Sequence, residues 1–194
     1  MPGRSGLDKF SAMIIDDILA FNREFVKNRG YEKYVTSKYP DKKVAVLSCM
    51  DTRLSVMLLA ATGLANGDAK VIKNAGGLVP TPFDSTMRSL LVGIYELGVE
   101  DILVIAHSDC GACHLDGHEM KELMLRRGIP QERIDTVESC GIDIAQWLEG
   151  FHDTEASVRQ TVERIRSHPL VPDDVRVSGF IIDSTTGELR LVCR

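Results

Sequence analysis

The sequence predicts an α/β fold: a mostly parallel central sheet flanked by helices, with a helical arm ahead of it. Three observations carry that reading. Val44–Ser48 and Ile102–Ala106 are short apolar runs, each followed by a helical pattern, as in parallel strands buried on both faces. Val177–Ile182 and Leu189–Cys193 flank a Thr186-Gly187 turn and read as a strand with a hairpin partner. Ahead of the first strand, Phe10, Met13, Ile14, Ile18, Phe21 and Phe25 are spaced as on one helix face.

In chain order, residues 1–9 read as a loose end and Phe10 to Val26 as a helix that covers the sheet or clasps another subunit. Lys27 to Lys43 is polar, with Pro40-Asp41 turning into the first strand. After Cys49, Leu54 to Thr62 reads as a short apolar helix stopped by Gly63. Ala69 to Lys73 is a second strand, and Asn74-Ala75-Gly76-Gly77 a loop at its C-terminal end, where paired glycines admit close backbone approach. Asp84 is an N-cap for a helix marked by Met87, Leu90, Leu91, Ile94 and Leu97 and ending at Gly98. Ile102 to Ala106 is the third strand. Residues 111–150 are harder to parse: Met120–Arg127 reads as a helix stopped by Gly128 and Pro130, and Ile142–Leu148 as another. Thr154 caps a helix with Val158, Val162 and Ile165 on one face, ending before Pro169.

A chain of 194 residues fits one domain, 1–194, with residues 1–40 as its N-terminal arm. The net charge of -5 and the lack of a long basic run argue against a nucleic-acid or anionic-membrane surface. No apolar run approaches the length of a membrane span, and Met1 to Lys9 has no signal-peptide core, so a cytoplasmic protein is expected. Five cysteines are an odd number for a disulfide framework, which favours reduced thiols or a metal site.

Two stretches concentrate the chemistry: Cys49-Met50-Asp51-Thr52-Arg53 and His107-Ser108-Asp109-Cys110-Gly111. Both follow strands, and parallel sheets bind ligands outside their strand C-termini. Two thiolates and an imidazole suit zinc, with a fourth position left for solvent or substrate. Each residue alone has an ordinary reading: Cys49 as a small core side chain, Asp51 and Arg53 as a surface pair or cap, His107 as a hydrogen-bonded, partly buried histidine. A four-ligand structural zinc, with Asp51 or Cys113 completing it, is an alternative. So is a redox pair in Cys110-Gly111-Ala112-Cys113, which leaves Cys49, Asp51, Arg53 and His107 without a role. Cys113, His114 and His118 form an accessory metal cluster or are ordinary loop residues. Cys140 and Cys193 read as structural. Nucleotide-binding glycine motifs are absent.

Cys49-x-Asp51-x-Arg53 followed 58 positions later by His107-x-x-Cys110-Gly111 resembles the β-class carbonic anhydrases, most closely their short bacterial branch. The resemblance also takes in Asn74-Ala75-Gly76, the helix leading to Gly98, and His168-Pro169-Leu170-Val171-Pro172 with Gly179-Phe180. It implies a zinc lyase that reversibly hydrates carbon dioxide to bicarbonate and a proton. It implies Cys49, His107 and Cys110 as zinc ligands, and Asp51 and Arg53 as a catalytic dyad, with Asp51 as a fourth ligand in a closed state. It further implies a homodimer, or a multiple of dimers, joined through the N-terminal helix. A zinc site with three protein ligands acidifies its water, and two thiolates do so less than three neutral histidines would. The plant-type branch has a glutamine shortly before the first strand that reaches the substrate. Here that place falls near Pro40, with no glutamine close by. Related hydrolases of carbon disulfide or carbonyl sulfide, and a non-catalytic zinc protein, are the alternatives.

Overall fold

Val44–Cys49 forms β1, in which every residue is buried. The run is apolar on both faces because it lies inside the sheet, paired in parallel with β2 (Ala69–Asn74) on one side and β3 (Asp101–His107) on the other. β3 pairs in parallel with β4 (Arg176–Ile182), and β5 (Leu189–Cys193) closes the edge antiparallel to β4. The strand order is β2-β1-β3-β4-β5. Chain leaving β1 crosses towards β2, and chain leaving β3 crosses towards β4. The crevice between the C-terminal ends of β1 and β3 is therefore the topological switch point.

This computed structural model describes residues 7–194, with side chains from Ile14 onward. The described residues fall into two compact units divided between Ser37 and Lys38. In the first, α1 runs Leu7–Lys27, followed by a 3₁₀ turn at Glu32–Tyr34. The loose end expected over residues 1–9 thus gives way to helix at Leu7, and its first six residues lie outside the described ones. Phe10 and Met13, which helped to mark the helix, have side chains outside them too.

In the second unit, α2 (Leu54–Thr62) ends at Gly63, whose φ of 65° is the left-handed cap that glycine adopts without strain. The Asp84 carboxylate accepts from Met87 N–H and starts α3 (Ser85–Leu97), which ends at Gly98. α4 (Gly117–Arg126), α5 (Gln131–Ser139), α6 (Ile144–Leu148) and α7 (Thr154–Arg166) follow. α4 starts at Gly117 and not at Met120, and α6 at Ile144 and not at Ile142, because the Asp116 and Asp143 carboxylates cap them. Two further differences concern a missed helix and a cap. α5 gave no signal, because Ile134 is its one buried residue and a single apolar position makes no stripe. α7 is capped by Asp153, whose carboxylate accepts from Ala156 N–H at 2.8 Å, and Thr154 is its first helical residue.

The core lies on both faces of the sheet. Ala45, Leu47, Ile102 and Val104 pack with Met87 and Leu90 of α3 and Val158, Val162 and Ile165 of α7. Val46, Ile105 and Ile182 pack with Leu54 and Leu58 of α2, and Cys49 and Cys110 belong to this second cluster. Helices thus clamp β1 and β3 from both sides and fix where their ends point.

The loop after β2 is tied to that end. Asn74 donates to Leu78 O and Thr86 Oγ1 and accepts from Leu78 N–H. Gly77 (φ 67°) lies so close that a Cβ there would sit 2.7 Å from Cys49 N, against main chain that cannot yield. Gly77→Ala should therefore lower stability by about 2–4 kcal/mol through clash and left-handed strain together. Gly63→Ala, at φ 65° with no atom within 4 Å of the added carbon, should cost only about 1 kcal/mol. Urea unfolding of the two variants checks the difference.

Candidate metal centre

The three soft donors converge at the switch point. Cys49 is the last residue of β1 and His107 the last of β3, so both belong to the strands rather than following them. Cys110 comes after a tight turn through Ser108 and Asp109. All three are buried, and Cys49 Sγ, Cys110 Sγ and a ring nitrogen of His107 lie within 4.8 Å of one another. The two sulfurs are 3.8 Å apart. Two thiolates at about 2.3 Å from a tetrahedral zinc would themselves be about 3.8 Å apart.

The histidine is set up as a ligand. Its Nδ1–H donates to Ser108 O at 2.8 Å, since a carbonyl can only accept. That bond leaves the Nε2 lone pair facing the cysteines, and Nε2 is buried with no hydrogen-bond partner. Metal-binding histidines are held in this way, the far nitrogen fixed by a backbone carbonyl.

The electrostatics point the same way. The Cys49 thiol is pulled down to about 4, chiefly by a hydrogen bond from Cys110, with His107 and the backbone N–H groups of Asp51 and Gly76 adding to it. Cys110 is pushed up, because it gives its proton to Cys49 and is buried. His107 is raised by the neighbouring Cys49 thiolate. Metal binding needs the thiols deprotonated, and this setting lowers the first of them.

Asp51 lies outside that trio, with Oδ2 3.8 Å from His107 Nε2. Arg53 grips it: backbone N–H and Nε donate to Oδ1 at 2.8 and 3.0 Å, and Nη2 donates to Oδ2 at 2.8 Å. These contacts hold the Asp51 carboxyl well below the usual carboxylate range. Oδ1 has both lone-pair positions taken, whereas Oδ2 keeps one. The open acceptor therefore belongs to the oxygen 3.8 Å from His107 Nε2.

Cys113 and His114 sit on a 3₁₀ turn (Gly111–His114) and His118 in the first turn of α4. Among the described residues they form no second group of metal-binding side chains. Cys110 turns its sulfur to Cys49, which does not favour a Cys110–Cys113 pair. The residues that sequence reasoning left without a role are Ser108, whose carbonyl fixes His107, and Asp109, which contacts Arg53. Nothing in residue type signals a backbone carbonyl.

A cavity of about 350 Å³ is lined by Ala75, Leu78, Leu115, Trp147 and Phe151. Ala112 and Phe151, which also line it, pack against the cluster that holds Cys49 and Cys110. The lining is mostly apolar, and cavities of that kind suit uncharged small molecules.

Cys49→Ser should abolish stoichiometric zinc retention after dialysis, whereas Cys113→Ser should keep it. Metal analysis of both purified variants, with circular dichroism to confirm folding, checks this.

The carbonic anhydrase family model matches residues 44–189, which include all five residues discussed. A Bacillus subtilis (strain 168) protein named "Putative carbonic anhydrase YtiB" is 51% identical over 92% of this chain and 96% of its own length. A carbon disulfide hydrolase of Acidianus sp. (strain A1-3) is 30% identical over 77% of each chain. The crystal structure of a β-carbonic anhydrase from Trichomonas vaginalis superposes with a TM-score of 0.84 at 32% identity, covering 93% of this chain and 97% of that one. With its sheet order, its cysteine–histidine–cysteine cluster and these matches, the chain belongs to the β-class carbonic anhydrase family.

Proposed function

We propose that this protein hydrates carbon dioxide reversibly to bicarbonate and a proton, with Cys49, His107 and Cys110 holding one zinc ion. The observation that carries the reading is the buried trio of Cys49, His107 and Cys110 with the Asp51–Arg53 pair at its edge. When bound, zinc supplies a Lewis acid that makes water nucleophilic near neutral pH. The protein's part is orientation. Asp51 Oδ2, with its one open lone pair, accepts a hydrogen bond from the attacking water and aims that water's free electron pair at the carbon. Arg53 keeps Asp51 ionised and fixed, so that it acts as an acceptor and not a donor. One C–O bond forms, one C=O π pair moves to oxygen, and the water's second proton leaves to solvent. The apolar cavity beside the trio admits the uncharged substrate.

A second reading has its own support. The Acidianus relative is a carbon disulfide hydrolase, and the same constellation would serve attack on any linear molecule with an electrophilic central carbon.

We further propose that residues 1–40 act as the arm of a single catalytic domain and join two copies. Ile14, Ile18 and Phe21 of α1 are 55%, 58% and 74% exposed, a line of apolar surface that a partner would cover. No helix among the described residues is long and apolar enough to cross a membrane. The free cysteines suit a reducing, cytoplasmic setting.

Stopped-flow assays with carbon dioxide test the activity. Asp51→Asn should keep its zinc and lose about 10²–10³-fold in kcat, the scale of a lost proton-positioning group. An inactive zinc-loaded wild type that consumes carbon disulfide would establish the second reading instead. Light scattering should give at least twice the chain mass, and Ile18→Asp should shift it towards one chain.

A further inference from the structure

We infer that Asp109 is a positioning residue for this reaction: it holds the outer edge of Arg53 so that the inner edge stays locked on Asp51. The inference rests on the proposed hydration activity and adds a residue to its machinery.

Arg53 offers five guanidinium N–H groups. Nε–H goes to Asp51 Oδ1, and the two Nη2 protons go to Asp51 Oδ2 (2.8 Å) and Asp109 O (3.0 Å). One Nη1 proton goes to Asp109 Oδ2 at 3.1 Å. The planar group therefore lies between two acidic residues, each of which takes two of its guanidinium protons. With Asp51 alone, the guanidinium could rock about the Nε–Nη2 edge. A second pair of acceptors removes that freedom and sets the plane in which the Asp51 carboxylate must lie.

The backbone is shaped for this grip. Asp109 has φ 53°, left-handed, one of the few non-glycine residues described with a positive φ. Aspartate tolerates that region better than most residues. The conformation lies in the two-residue turn between His107 and Cys110 and delivers the Asp109 carbonyl to Arg53. One residue thus serves both the turn between two metal ligands and the guanidinium.

The Asp109 side chain is 81% exposed, so its ion pair contributes little to stability. That separates orientation from folding. Asp109→Gly relaxes the left-handed backbone and removes only the carboxylate. It should keep the melting temperature and the zinc content of the wild type. It should lower kcat roughly 3–10-fold, the effect expected of one charge-assisted hydrogen bond near solvent, with KM within about twofold. Asp109→Asn keeps an acceptor oxygen and tolerates the same backbone, and should recover most of that loss.

A readout independent of turnover is the Arg53 Nε–H signal in ¹H–¹⁵N spectra, assigned by its disappearance in Arg53→Lys. Its exchange with solvent should quicken at least about fivefold in Asp109→Gly and return towards the wild-type rate in Asp109→Asn. Wild-type kcat in Asp109→Gly overturns the inference, as does an unchanged Nε–H signal. Loss of zinc in that variant also overturns it, because Asp109 would then serve the ligands and not Arg53. An Asp109→Asn variant as impaired as Asp109→Gly overturns the acceptor account. If the wild type itself fails to hydrate carbon dioxide, the proposed function falls. The Nε–H signal then decides the grip on Arg53 alone.

Discussion

Two buried sulfurs 3.8 Å apart are the constraint on which the rest of this structure depends. Two full negative charges at that separation repel by about 4 kcal/mol even at an effective dielectric of 20. That is more than a surface ion pair returns, so a positive charge placed between the two sulfurs is strongly favoured. A proton held between Cys110 and Cys49 lowers the Cys49 thiol and raises the Cys110 one, so one sulfur carries the charge and not both. A divalent cation relieves the repulsion fully. The surroundings are arranged for charge at that point: backbone N–H groups of Asp51 and Gly76 face Cys49, and that of Ala112 faces Cys110. Gly77 packs against the main chain at Cys49 because a side chain there would displace the strand end.

The parallel sheet makes this concentration of charge affordable in a geometric sense. β1 and β3 are adjacent and in register, Ser48 opposite Ile105, so their ends emerge side by side. The chain departs from them in opposite directions, which leaves the space between open. α2, α3 and α7 bury the strands from both faces, and the donor atoms inherit that rigidity. Only Cys110 comes from a turn, and the turn is itself tied down: Ser108 N–H donates to Ile182 O, and Ser184 N–H donates to Ser108 Oγ.

Much of this was legible in the sequence because it rests on short-range rules. The cap at Asp84 and the stops at Gly63 and Gly98 lie where residue chemistry puts them. β1 and β3 declare themselves by apolar runs, and the metal-type residues by their kind and their place after those runs. What stayed hidden is of three kinds. α5 is an exposed helix with one buried residue, so no periodicity marks it. Asp153 and Thr154 are both good caps, and only the backbone at Asp153, extended at φ -137°, shows which one acts. Cys49 and His107 close their strands instead of following them, because pairing with Asn74 and Ile182 carries the ladder one residue further than apolar character does.

The dyad shows why motif and substrate are separable. Arg53 saturates Asp51 Oδ1 and half-occupies Oδ2, so one lone pair remains for a water. In the proposed reaction that arrangement would hold the nucleophile and would say nothing about which electrophile arrives. Carbon dioxide and carbon disulfide are both linear and uncharged with an electrophilic carbon at the centre, and they differ in the size and softness of the end atoms. Discrimination then belongs to the walls, where Ala112 and Phe151 border both the cysteine cluster and the apolar cavity. A wall can tell oxygen from sulfur by volume alone, and volume discrimination is modest, on the order of 1–3 kcal/mol per methylene-sized difference. On the proposed chemistry, the choice between the two electrophiles would therefore rest on wall residues and not on the ligands.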